Sequence, residues 1–349
     1  MLARAIAIGL SFVMVARAGA QQAVVTEQVS GVRALLQAVS PVDANIVWAS
    51  GTGGTVLRSR DGGDTWENVA VAAAAKLEFR GIHAISAEEA WALSIGKGED
   101  SRIYHTGDGG ATWIEQFRNT DSTAFFDCIT FFDTRHGIAY SDASQDRTVI
   151  LRTEDAGAHW NLLPATAVPA PLKGEGGFAS SNSCAISVDS RHGWIAAGTP
   201  GSRVFRTSDA GKTWMVAGSV PVVHDSAAGL TAISFRDSLN GIGVAAVIGR
   251  GVMARDSVVE AVAITSDGGV TWRQGHRPPR PGALSGVALV PTVSDLTAVA
   301  AAYGGLFVSS DNGLSWTTMT TSNYWAVRAT GRRAWAVGAG GRITRLEFP

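Results

Sequence analysis

The strongest constraint on how this 349-residue chain folds is an eight-residue pattern that occurs six times. In the first copy, SRDGGDTW at residues 59–66, an aspartate lies five residues before a tryptophan and a glycine follows the aspartate by two. The same pairs recur as Asp61 and Trp66, Asp108 and Trp113, Asp155 and Trp160, Asp209 and Trp214, Asp267 and Trp272, and Asp311 and Trp316. Their tryptophans are 47, 47, 54, 58 and 44 residues apart. A catalytic site is made once, whereas this spacing is typical of a repeated supersecondary unit.

Each repeated unit has the pattern of four short strands. In the third unit these are CITFFD at 128–133, IAYSD at 138–142, TVILRT at 148–153 and HWNLL at 159–163. Turn residues separate them, and no stretch has helical periodicity, so each unit is predicted to be a propeller blade. The repeated box then lies between the third and fourth strands. There its aspartate is expected to accept bonds from backbone N–H groups of its own turn, and its tryptophan to pack into the blade.

The two ends of the chain complement each other. Three strand patterns follow the last box, within residues 324–348, and the strand-like segment 23–31 has no partner near the N-terminus. A strand from the N-terminus would complete the last blade and remove an exposed sheet edge. We therefore predict an all-β, seven-bladed propeller of four-stranded antiparallel blades in a single domain, 21–349. The closing strand is 23–31, six box blades occupy 32–319, and the final blade is 324–348.

The first twenty residues have a different character. Arg4 precedes an apolar run at residues 5–15, and Ala18, Gly19 and Ala20 form a small-residue cleavage pattern. This is typical of a signal peptide at residues 1–20 that is cleaved near Ala20. A run of about eleven apolar residues is shorter than the roughly twenty that span a bilayer. We expect a periplasmic or secreted protein without a membrane span.

Composition and motifs exclude several function classes. The chain is 46% hydrophobic and 17% charged, with a net charge of -1, which gives no electrostatic case for nucleic-acid binding. The segment GIGVAA at 241–246 matches a dinucleotide fingerprint but aligns with the second strand of a blade, and no helix pattern follows it. The seven histidines have no paired metal-ligand spacing. We predict no cofactor and no metal.

The box T-x-D-x-G-x-T-W resembles the Asp-box, or BNR, repeat, and the whole mature chain is most similar to seven-bladed propellers of the photosystem II stability and assembly factor family. That resemblance implies a non-catalytic scaffold or chaperone, and we expect a monomer that holds a protein partner in the cell envelope. It does not specify a pigment-protein partner. The alternative is a sialidase-like glycoside hydrolase, because Asp-boxes also occur in such enzymes. The Arg-Ile-Pro signature of sialidases is missing near the first blade.

Blade topology predicts where a partner binds. Turns between strands one and two and between strands three and four lie on one face, which we call the box face. Turns between strands two and three and the linkers between blades lie on the other, the loop-rich face. The irregular segments fall on the loop-rich face, and variable loops on a rigid scaffold commonly bind partners. The candidate binding residues are Arg33, Arg80, Asp127, Asn182, Arg250, Arg255, Tyr324 and Trp325.

Cys128 and Cys184 are the only cysteines. Each lies eight residues before the histidine of an RHG turn, so both take the same position on the innermost strands of adjacent blades. Two readings remain open. One is a disulfide, which export to an oxidising compartment favours, and the other is a pair of buried thiols.

Overall fold

The computed structural model describes residues 23–224, 228–247, 261–279, 282–291 and 296–349. Within these ranges the chain forms seven four-stranded antiparallel sheets arranged as the blades of a propeller. Its helical segments there are single 3-10 turns at Ala72–Ala74, Gly98–Asp100, Ala165–Ala167 and Ala339–Gly341. In the described part of the chain, no helix has the length and apolar character needed to cross a membrane.

The strands are numbered along the chain, and in blades 1 to 6 the first strand of each blade is the innermost. Blade 1 contains β2 Leu36–Pro41, β3 Val47–Gly51, β4 Val56–Ser59 and β5 Glu67–Asn68, and blade 2 contains β6 Phe79–Ala84, β7 Ala90–Ser94, β8 Arg102–Thr106 and β9 Ile114–Arg118. Blade 3 contains β10 Phe126–Phe131, β11 Gly137–Ser144, β12 Arg147–Thr153 and β13 Asn161–Leu162, and blade 4 contains β14 Ala185–Ser187, β15 Gly193–Ala197, β16 Arg203–Thr207 and β17 Met215–Ser219. Blade 5 contains β18 Ala228–Phe235, β19 Gly241–Val247, β20 Val262–Thr265 and β21 Arg273–Gln274, and blade 6 contains β22 Leu284–Pro291, β23 Leu296–Ala302, β24 Gly305–Ser309 and β25 Thr317–Thr320.

The seventh blade joins the two ends of the chain. It contains β26 Ala326–Thr330, β27 Arg333–Val337 and β28 Ile343–Glu347, and β1 Val24–Gln28 is its outermost strand. Strand β1 runs antiparallel to β28, with Val24 opposite Glu347 and Gln28 opposite Ile343. The predicted seven-bladed fold and its closure by the N-terminal strand are confirmed.

The Asp-boxes are local hydrogen-bond networks. In blade 2, Asp108 accepts bonds from Thr106 Oγ1 at 2.9 Å, from Thr112 N at 2.9 Å and from Thr112 Oγ1 at 2.6 Å. These bonds lower the pKa of Asp108 to about 2, led by the Thr112 hydroxyl. The amide of Gly109 donates to Glu88 O at 2.8 Å, which ties the box to the β6–β7 turn on the same face. The other five boxes repeat the bonds to the aspartate. In blade 3, the ring of His159 takes the place of the Thr112 hydroxyl and contacts Asp155.

Four tryptophans on second strands connect neighbouring blades. These side chains are buried, and each indole Nε1 donates to a carbonyl of the next blade. The bonds run from Trp48 to Ser86 O at 3.0 Å, from Trp91 to Ala156 O at 3.0 Å, from Trp194 to Gly268 O at 2.9 Å and from Trp335 to Gly62 O at 3.1 Å. The last bond joins blade 7 to blade 1, so the seam of the ring uses the same contact as three other blade junctions.

Small residues surround the narrowest part of the ring. The innermost strands of blades 1, 2, 3, 5 and 6 each contain a β-bulge. A small residue follows each bulge, and a small residue also occupies the matching position in blades 4 and 7. In blade order these residues are Ala38, Gly81, Cys128, Cys184, Ala232, Gly286 and Ala326. A Cβ on Gly286 would lie 3.1 Å from Val327 N of the next blade. Cys128 and Cys184 form a disulfide with their Cα atoms 6.0 Å apart. In the chain-entropy model, a loop of this length gives roughly 4 kcal/mol of stabilisation.

Candidate functional site

A segment of the linker between blades 3 and 4 crosses the central channel. We call residues 178–183 the plug. The side chain of Asn182 donates to Ile82 O and to Ile129 O, both at 3.1 Å, and accepts from Ile129 N at 2.9 Å. All the polar atoms of the Asn182 side chain are therefore bonded to the innermost strands of blades 2 and 3.

The rest of the plug is bonded to the opposite side of the ring. Ser180 Oγ donates to Thr231 O and Ser285 O at 3.1 Å, and Ser181 Oγ donates to Ser285 O at 2.6 Å. Trp325 Nε1 donates to Ser180 O. The plug thus contacts blades 2, 3, 5, 6 and 7 and divides the channel into two cavities.

The bulged residues of the innermost strands lie around the plug. They are Gln37, Arg80, Asp127, Thr231 and Ser285. Sequence analysis named Arg80 and Asp127 but missed the other three. A small residue follows each bulge in the aligned sequence units, and this pattern could have identified all five bulged residues.

On the loop-rich face, the cavity above the plug is shallow and mostly apolar. It has a volume of about 200 Å³, with Phe178, Ala179 and Ser180 of the plug forming one side. The other lining residues are Arg80, Thr231, Ala246, Ala283, Leu284, Ser285 and Trp325. We call this cavity the mouth.

Arg80 and Trp325 form the polar edge of the mouth. The guanidinium of Arg80 lies 5.5 Å from the centre of the Trp325 ring, in a cation–π arrangement. It also bonds Glu78 Oε1 at 2.8 Å and Ala179 O at 3.0 Å. A rigid aromatic ring, a fixed guanidinium and an apolar floor together form a surface of the kind that anchors protein partners.

Two carboxyl groups lie beneath the start of the plug. The charges of the neighbouring Asp127 and Asp142 carboxyl groups interact, and Gly177 N donates to Asp142 Oδ1 at 3.1 Å. Burial raises the pKa of Asp142 to about 6 and, together with the charge of Asp142, raises the pKa of Asp127 well above its usual range. The pair therefore holds a proton at pH values where isolated aspartates are ionised.

A pH-dependent stability follows from this pair. The folded-state pKa of Asp142 is above the unfolded value of about 3.9. The contribution of Asp142 to the free energy of unfolding is therefore fully present below pH 4 and is lost as the pH rises through 6. We expect the free energy of unfolding of the parent protein to fall by about 1 kcal/mol between pH 5 and pH 7.5, and we expect Asp142→Asn to abolish this fall. Urea unfolding of both proteins at the two pH values measures the difference. An equal pH dependence in the variant would contradict the assignment.

The remaining predicted residues occupy different environments. Tyr324 is buried, and its hydroxyl bonds Glu27 Oε1 at 3.0 Å and Thr344 Oγ1 at 2.6 Å, so it ties the closing strand to blade 7. Arg33 is exposed in the segment between β1 and β2. Arg250 and Arg255 lie outside the described residues. The structure therefore brings together Arg80 and Trp325 at the mouth, and places Asp127 and Asn182 below it.

Acidic, histidine and cysteine side chains do not form a metal centre in the described ranges. No group of three or more of them is placed to hold a metal ion there. The chemistry of the mouth is that of apolar contact, cation–π stacking and hydrogen bonding.

Together, the fold and the mouth define a closed Asp-box β-propeller with a plugged channel and, within the described residues, an apolar cavity at its loop-rich end. The model of the family described as "Photosynthesis system II assembly factor YCF48" matches residues 18–168. This match and the structural likenesses confirm the resemblance inferred from the repeats. A search of curated proteins found no match.

Solved structures with this architecture include two of YCF48. "YCF48 bound to D1 peptide" has a TM-score of 0.62 and 16% identity, covering 95% of this chain and 96% of that one. YCF48 from Cyanidioschyzon merolae has a TM-score of 0.62 and 16% identity, covering 93% and 98%. An ancestral GH74 enzyme has a TM-score of 0.65 and 14% identity, covering 91% of this chain but 46% of that one. At these identities the likeness shows the shared propeller fold.

Proposed function

We propose that this protein is a non-catalytic scaffold of the cell envelope that acts as a monomer and holds a polypeptide segment of a protein partner at the mouth. The observation that carries the proposal is the plug, because it closes the channel and turns its loop-rich end into a shallow surface. An extended peptide fits such a surface, with an apolar side chain in the cavity beside Trp325 and a carbonyl or carboxylate near Arg80.

The resemblance to YCF48 supports a protein ligand. One of the similar structures is YCF48 with a bound D1 peptide, so this architecture binds peptides in a protein whose whole length is comparable to this chain. The partner of the present protein is defined here only by its chemistry, as a segment with an apolar anchor and an acceptor group.

Glycoside hydrolysis is the alternative that the GH74 likeness leaves open. A glycosidase needs two carboxyl groups that flank the scissile bond, about 5 Å or more apart. Asp127 and Asp142 instead lie together beside the start of the plug, where the charge of Asp142 raises the pKa of Asp127. Their geometry favours a structural pair over a catalytic one.

Site-specific photo-crosslinking tests the proposal in the native envelope. A photoreactive amino acid at Tyr303, which is 56% exposed in the β23–β24 turn of the loop-rich face, should give a crosslink to one protein. The matched control is Leu239, which is 53% exposed in the β18–β19 turn of the box face and should give none. Mass spectrometry of the product identifies the crosslinked peptide.

The crosslinked peptide is then made synthetically and titrated against the purified protein. Arg80→Ala should weaken its binding by about tenfold or more, as expected for an arginine anchor. Arg60→Ala, in the first box, should not change it. Equal crosslinking from both faces, or turnover of a member of a glycan panel, would contradict the proposal.

A further inference from the structure

The second cavity of the channel lies on the other side of the plug, towards the box face. It has a volume of about 160 Å³ and is lined by residues near the ends of the innermost strands. Its polar lining includes Ser40, His83, Thr130, Asn182, Ser187 and Arg328. We call it the inner cavity.

Arg328 is the central feature of the inner cavity. Its Nη2 donates to Asn182 O at 2.7 Å. Among the described residues, this carbonyl is the one protein acceptor bonded to its guanidinium, and no carboxylate acts on its charge. Desolvation lowers the pKa of Arg328 to about 10, which leaves it cationic at neutral pH. The side chain of Arg328 is partly buried, and a partly desolvated charge without a counter-charge is stabilised by an anion that accompanies it.

His83 adds a second basic group. It lies on the innermost strand of blade 2, close enough to Arg328 for the arginine charge to lower its pKa, after the larger effect of burial. Within the described part of the chain, its ring nitrogens have no hydrogen-bond partner, and the ring packs 5.5 Å from Phe131. At neutral pH the imidazole is neutral and offers one N–H donor.

Hydroxyl groups complete the lining. Ser40 Oγ accepts from Ala84 N at 3.0 Å, which leaves its own proton free to donate into the cavity. Thr130 Oγ1 lies 3.3 Å from Ser187 Oγ, and Ser187 in turn donates to Phe131 O at 2.7 Å. Because Ser187 donates its single proton to Phe131 O, Thr130 donates its own proton to Ser187 Oγ, and Ser40 remains as a hydroxyl that can donate to a ligand.

We propose that the inner cavity binds a small oxyanion, such as phosphate, sulfate or the carboxylate of a small acid, between Arg328, His83 and the hydroxyl of Ser40. The volume of the inner cavity corresponds to about five water molecules at roughly 30 Å³ each, which is enough space for a single small oxyanion. The anion supplies the counter-charge that Arg328 lacks. It is bound independently of the partner at the mouth, because the plug separates the two cavities.

Thermal melting and calorimetry with defined anions test this site. The mature protein is dialysed into a buffer without oxyanions and titrated with sodium phosphate, sulfate or acetate, with sodium chloride at matched ionic strength as the control. At least one oxyanion should raise the Tm by several degrees in a saturable manner, with one site by calorimetry. The comparison of the three identifies the preferred class. A chloride effect of equal size, or no effect of any oxyanion, would overturn the proposal.

Variants separate ligand binding from a structural role. Arg328→Gln should weaken the anion about tenfold or more, in line with the loss of a charge-assisted bond. Its Tm without oxyanions should stay unchanged or rise, since an uncompensated charge is removed. Arg80→Gln, across the plug, should bind the anion like the parent protein. His83→Gln, measured in parallel, should weaken anion binding several-fold. It serves as the test of the site if Arg328→Gln does not fold. The site would be refuted if the folded Arg328→Gln variant bound the anion like the parent protein. If Arg328→Gln does not fold, unchanged binding by His83→Gln would refute it.

Discussion

Deletion of residues 21–30 from a protein that begins at residue 21 should make it aggregate or lower its melting temperature strongly. The deletion removes β1, whose five residues pair along β28, and leaves that strand as an open edge. At ~1 kcal/mol of net stabilisation for each lost backbone bond, the pairing alone contributes on the order of 3 to 5 kcal/mol.

The deletion also removes side-chain contacts across the seam. Glu27 accepts bonds from Tyr324 and Thr344, at 3.0 and 2.9 Å, and these two hydroxyls are buried in blade 7. Gln28 Nε2 donates to Gly62 O of blade 1 at 3.0 Å. The truncation therefore leaves polar groups without partners in the last blade and weakens its junction with the first.

Scanning calorimetry and size-exclusion chromatography measure this effect. A shorter deletion, of residues 21–22, leaves β1 intact and serves as the control, which should melt like the protein that begins at residue 21. If the protein lacking residues 21–30 is monomeric and melts at the parent temperature, the closing strand does not stabilise the ring.

Replacement of Trp214 by alanine should lower the free energy of unfolding by about 3 to 5 kcal/mol, the usual cost of truncating a buried aromatic side chain. Trp214 is 6% exposed and packs in the hydrophobic cluster shared by blades 3, 4 and 5. Its indole donates to Gly211 O at 3.1 Å within the same box. Alanine would leave both a cavity and an unpaired carbonyl.

Urea unfolding measures the loss, and Trp316→Ala is the matched control from another box. Trp316 is only partly buried, so its truncation should cost less than that of Trp214. Binding at the mouth should survive in the folded fraction of both variants. A stable Trp214→Ala protein that no longer binds a partner would instead make the box a binding site.

The functional surfaces were only partly visible in the sequence. Arg80 and Trp325 were named because they lie near innermost strands, and the structure brings them together although they are 245 positions apart in the chain. Asn182 was named as a binding residue, yet all its side-chain atoms are used within the plug. Nothing in the sequence pointed to Arg328 or His83, because each is a single basic residue in an ordinary strand pattern.

What the sequence by itself determined is the periodic architecture. The Asp-box bonds join residues at most four positions apart, as in Thr112 to Asp108, so a local pattern is sufficient to specify them. The unpaired strand patterns at the two ends then led to closure, because an open edge is unfavourable.

Only the tertiary structure decided the contents of the channel. The plug comes from a linker rich in glycine and serine, a composition that also suits an exposed loop. Its path depends on carbonyls of four blades and on the indole N–H of Trp325 from a fifth, and these groups face the plug only when the ring is closed. Contacts of this kind depend on how distant strands converge, and for that reason the plug and both cavities could not be inferred from spacing along the chain.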